Sequence, residues 1–122
     1  MSGHTADIMT TMDADSTLLI LQRGLVSDDP KQRADSADGV TDVHRDLSVD
    51  DVAVLALLLS ALRVNEADVR AAESQLHALS ELAEWHDLPT AALRIAVQPP
   101  HALAWAGSEL EYVGYLREQA TT

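Results

Sequence analysis

The chain contains no cysteine and no phenylalanine, and only one of its eight basic residues is a lysine. Without cysteine, disulfides and thiolate metal sites are excluded, and the redox compartment goes unmarked. The aromatic complement is Trp85, Trp105, Tyr112 and Tyr115. Leucine and alanine must therefore fill the core, and both are helix formers. The longest apolar run, VAVLALLLSAL, is about half the length needed to span a bilayer. The N-terminal stretch MSGHTADIMTTMDADS lacks the basic and apolar segments of a signal peptide. These two absences point to a cytoplasmic protein. Alternation of period two appears nowhere over a useful length, so no strand is expected.

What the chain does have is negative charge. It carries 20 acidic against 8 basic residues, a net charge of −12 over 122 residues. The acids are spread through both halves, eleven in residues 1–51 and nine in residues 52–122. A field of this sign repels phosphate backbones and anionic lipid headgroups, so nucleic-acid and membrane-surface roles are disfavoured. It attracts basic proteins, and it also keeps a small domain soluble. The length suits one domain with a core of its own. Arginine outnumbers lysine seven to one and alanine is abundant, a bias associated with GC-rich bacterial coding.

Stop and start signals divide the chain into helices. In DSTLLILQRGLVS, Asp15 or Ser16 can cap, and Leu18, Leu21 and Leu25 share a face. SDDP follows: Asp29 can cap, Pro30 takes the first helical position and Gln32 the third. The helix from Pro30 to about His44 has a weak apolar stripe through Val40 and Val43, weakened again by Gly39. In LSVDDV, Ser48 caps, Asp51 lies three residues on, and Leu47 and Val52 stand at the staple positions. The helix through Leu62 is apolar almost all round, which marks it as the central, most buried element. In RVNEADV, Asn65 is expected to cap and Val64 and Val69 to staple a long helix reaching about Trp85. Pro89 opens a short helix, TAALRIAV, and QPP breaks it. The tail HALAWAGSELEYVGYLREQ is expected to be helical, interrupted at Gly107, with a fresh capping signal at Ser108. Residues 1–15 are expected to form a disordered tail, 16–118 one helical domain and 119–122 a disordered end.

The segments also repeat. Asp29, Pro30 and Gln32 align with Asn65, Glu66 and Asp68 at an offset of 36, and Val40 and Val43 align with Leu76 and Leu79. The preceding helices match at nearly the same offset, LLILQRGL against LALLLSAL. A two-helix unit of that length is a signature of α-solenoids. NEADVRAAESQLHAL is similar to the second-helix motif of HEAT repeats, and SDDPKQRADSADGV is a looser version with Gln32 or Arg33 where valine is usual. Over about residues 16–97 the chain thus resembles the HEAT-like family. That resemblance implies an all-α, short right-handed solenoid, with an irregular helical bundle as the alternative. It also implies protein–protein binding through the second helix of each pair.

On those helices Asp35, Asp38 and Asp42 form one polar line and Glu73, His77 and Glu84 another. They are either solvated faces or a surface for a basic protein partner. Trp105 is expected to cap the open end of the array, while Tyr112 and Tyr115 fit an interface or a cap. Catalytic signals are missing: no Gly-rich phosphate loop, no nucleophile elbow and no H-E-x-x-H occurs. His77 and Glu81 have metal-ligand spacing, a pairing common by chance on helices. No enzyme activity, metal or cofactor is expected. The functional expectation is a small acidic inhibitor, of the immunity-protein or antitoxin kind, neutralising a basic partner. An adaptor subunit is the alternative.

Overall fold

The computed structural model describes residues 16–98 and 108–121. Among them the protein is all helical, with no strand. The elements are α1 (residues 16–25), α2 (Pro30–Val43), a 3-10 turn (His44–Asp46), α3 (Val49–Asn65), α4 (Val69–Trp85), α5 (Thr90–Ala96) and α6 (Ser108–Thr121). The tail 1–15, Trp105 and Gly107 lie outside the described residues. Helix α6 runs on to Thr121, past residue 118, where the domain was expected to end. No described helix is long and apolar enough to cross a membrane.

Local chemistry sets most boundaries. Asp29 caps α2 by accepting from the Lys31 N–H at 3.0 Å, with Pro30 behind it. Gln32 does not close a direct capping box. Its Oε1 accepts from Ser27 Oγ at 2.6 Å, and that hydroxyl in turn accepts from the Asp29 N–H. Ser48 caps α3 through the Asp51 N–H, and the staple pair Leu47 and Val52 is buried.

The start of α4 differs from expectation. Helix α3 continues through Asn65, and the cap is Asp68, which accepts from the Ala71 N–H at 2.9 Å. Val69 is 62% exposed and staples nothing. The cause is Glu66, which is drawn into the interior and takes the connecting turn with it. Cap to cap, Asp29 to Asp68, the spacing is therefore 39 residues and not 36.

Helix α4 packs against α2, α3 and α6, and α3 packs against α4 and α5. On α4, Ala71, Ala72, Ser74 and Ala78 are all buried and let neighbours approach closely. Helix α3 buries Val52, Leu55 and Leu59 but leaves Val54 and Leu57 exposed.

Gly39 has a positive role. A Cβ there would sit 2.8 Å from Leu21 Cδ2, and one on Gly24 would sit 1.7 Å from Ser36 Oγ. Helices α1 and α2 thus close on each other at two glycines, which offsets the helical cost of Gly39. The core includes Leu21, Leu25, Val40, Leu55, Leu76 and Leu79.

Candidate functional site

Helices α4 and α6 lie side by side and leave an open groove of about 310 Å³ between them. From α4 come His77, Ser80, Glu81 and Glu84, whose spacing of three and four residues places them along one stripe. From α6 come Tyr112 and Tyr115, one turn apart. The His77 ring stacks on Tyr112, with centroids 5.4 Å apart and planes at 30°. His77 Nε2 lies 3.9 Å from Glu81 Oε1, a loose ion pair when the ring is protonated.

The electrostatics of the groove are one-sided. Burial raises the Tyr112 hydroxyl above its ordinary pKa, and Glu73, Glu111 and Glu81 raise it further. Tyr115 is raised in the same way, by burial and then by Glu84, Glu81 and Glu118. Carboxylates from two helices therefore converge on two phenols. Both tyrosines stay neutral at physiological pH and present ring faces and O–H donors.

Of the six residues expected to bind a partner, His77 and Glu84 line this groove and Glu73 acts on it from its edge. Asp35, Asp38 and Asp42 do not line it; they form a separate row on α2. Asp35 accepts from Arg70 Nη2 at 3.2 Å, so the two rows adjoin where α2 packs along α4. That pair is open to solvent, with both side chains more than half exposed. A larger cleft of about 470 Å³ between α1 and α2 includes Arg23, Asp35 and Ser36, but its titratable groups are few. Among the described residues no cluster of three or more His, Asp or Glu could hold a metal ion, so His77 and Glu81 have no third ligand beside them.

Three polar arrangements escaped sequence reasoning. The first centres on Glu66, whose side chain is 3% exposed. Arg33 grips it with two parallel hydrogen bonds, Nε to Oε1 at 2.7 Å and Nη2 to Oε2 at 2.8 Å. Gln75 Nε2 adds a third at 2.8 Å and the Asp68 N–H a fourth at 3.1 Å. Burial alone would raise the carboxyl, but these donors outweigh it and hold the pKa below its ordinary value. A second arrangement is Arg63, buried at 1% exposure, which donates to the carbonyls of Ile95 and Gln98 at the end of α5. It supplies a cation where the helix dipole favours one.

The third is a histidine pair. His44 and His86 directly follow the last residues of α2 and α4, and their rings meet edge to face with Nδ1 and Nε2 3.0 Å apart. Burial lowers the His44 pKa, and the neighbouring His86 and Arg45 lower it further against an opposing pull from Glu81. A sequence signal existed in VHRDLS and WHDLPT, where a histidine ends each helix shortly before an Asp-Leu. No protein family matches the chain, and no curated protein or solved structure shows detectable similarity to it.

Proposed function

We propose that the protein is a protein-interaction module that captures a basic protein on the acidic face of α2, α4 and α6. In its most specific form it is a small cytoplasmic inhibitor, of the immunity-protein or antitoxin kind, which occludes a basic toxin and has no catalytic step. The packing of α3 on α5, and of α2 on α4 and α4 on α6, supports a short HEAT-like solenoid, since first helices meet first helices and second meet second. An irregular bundle is the alternative arrangement.

One observation carries the functional reading: the α4–α6 groove. Its lining carboxylates Glu81 and Glu84 have no lysine or arginine paired with them among the described ion pairs, while two tyrosine faces stand beside them. Carboxylates together with aromatic rings suit a guanidinium or ammonium group from outside, by charge pairing and by stacking on the rings. The exposed Val54 and Leu57 on α3 favour the second reading, an adaptor whose outer layer meets a further subunit.

Capture of the partner from the native host, followed by kinetics with the purified partner, tests the first reading. Association should slow steeply with salt while dissociation changes little. Reversing Glu81 and Glu84 to Lys should weaken binding by about 2 kcal/mol. A smaller loss is expected for Asp35, Asp38 and Asp42 reversed together, because Asp35 is already engaged by Arg70. A partner indifferent to salt and to both sets of changes would remove the acidic-face reading.

A further inference from the structure

We propose that His44 and His86 form a proton-operated latch that fastens the α2–α3 connection to the α4–α5 connection and opens when both rings are charged. The geometry places the two rings at the ends of packed helices. His44 is 2% exposed and follows α2; His86 is half-buried and follows α4. Their facing nitrogens, His44 Nδ1 and His86 Nε2, are 3.0 Å apart.

Proton counting gives the pair three states. In the neutral pair one ring donates its N–H to the lone pair of the other. After one proton is added, the charged ring donates to the neutral one, and the bond persists with charge assistance. After a second, both facing nitrogens carry N–H and no acceptor remains between them. Two cations and two donors cannot share a 3.0 Å contact. The latch therefore tolerates the first proton and fails at the second.

The surroundings decide which ring resists charging. Arg45, held 3.8 Å above the Trp85 ring, opposes a positive His44, as does His86 itself; Glu81 on α4 favours one. Burial outweighs Glu81, so His44 resists charging. Water reaches His86 from two sides. One cleft is shared with Val49, Val52 and Trp85, the other with Leu88, Leu93 and Gln119, and Asp87 borders both. Solvent thus reaches the contact from the His86 side, while His44 stays enclosed until the contact gives way.

The sign follows from linkage. A histidine whose folded pKa is lowered stabilises the fold fully above the ordinary value of 6.5. That contribution is lost as pH falls below 6.5 toward the folded value. Opening on acidification should free the turn His44–Asp46 and the Trp85–Leu88 segment together, because the latch is a direct bond between them.

Ring-nitrogen NMR of the full chain, recorded from pH 8 to pH 5, tests the latch without any mutation. His44 and His86 should titrate as a coupled pair, with the last proton taken up below the ordinary histidine range. Over the same interval, amide exchange corrected for its intrinsic pH dependence should rise several-fold in residues 43–48 and 85–88. Residues 71–79, inside α4, should stay protected. The variant His44→Gln keeps a donor and an acceptor and should abolish that acid-induced rise. Independent titration of the two rings near ordinary values, with no change at 43–48, would overturn the proposal. If His44→Gln does not fold, the wild-type titration and exchange decide alone.

Discussion

Glu66 and Glu84 are the same side chain in opposite settings. Glu66 is buried, and every nearby donor has been spent on it: a two-pronged arginine, an amide side chain and a backbone N–H. Glu84 stands exposed at the rim of the α4–α6 groove and is in no ion pair among the described residues. A buried carboxylate survives only when fully satisfied, and once satisfied it has nothing left to offer a partner. An exposed one contributes almost nothing to the fold and keeps its charge available. The comparison separates acids that hold the structure from acids that act outward.

The largest effect should come from breaking the first kind. Glu66→Ala leaves Arg33 and Gln75 without their acceptor and should cost about 3–4 kcal/mol in chemical denaturation, the range for a severed buried pair. Glu66→Gln retains shape but not charge and should cost less. A loss below about 1 kcal/mol for Glu66→Ala would mean that the network is no stronger than a surface pair. Acid should sharpen the contrast. Because the Glu66 carboxyl is held below its ordinary 4.5, its contribution is complete above that pH and lost as pH falls through the folded value. Wild-type stability should therefore drop more steeply below pH 4.5 than that of Glu66→Gln, and parallel curves would contradict the assignment. The smallest effects belong to the exposed acids. Glu81→Lys with Glu84→Lys, or Asp35→Asn opposite Arg70, should each change stability by no more than about 0.5 kcal/mol. A large loss in either would show that these residues hold the fold after all.

The parts of the molecule legible in the sequence were those governed by local chemistry. Asp29 and Ser48 cap where their spacing to the following N–H groups places them, and Pro89 precedes α5. The α4 cap was misplaced because Asn65 and Asp68 are both favoured capping types. The choice between them was made by Arg33, on a helix 33 residues away in sequence. His77, Glu84, Tyr112 and Tyr115 all stood out in the sequence, but as unrelated features on two helices. Only the packing of α6 on α4 brings them to one groove. The histidine pair was missed for a related reason: each histidine shortly before an Asp-Leu was visible, but 42 residues separate the two.

Arg63 has a bearing on how the molecule comes apart. A chain of helices packed mainly on their neighbours can fray from one end while the rest stays folded. Two polar ties work against this. Arg33 on the second helix binds Glu66 in the turn between the third and fourth, and Arg63 on the third binds the carbonyls that end the fifth. Freeing α1 and α2 would strand the buried Glu66 carboxylate, and freeing α5 and α6 would strand the buried Arg63. Both ties raise the cost of partial unfolding, so the chain should lose its structure in a single cooperative step.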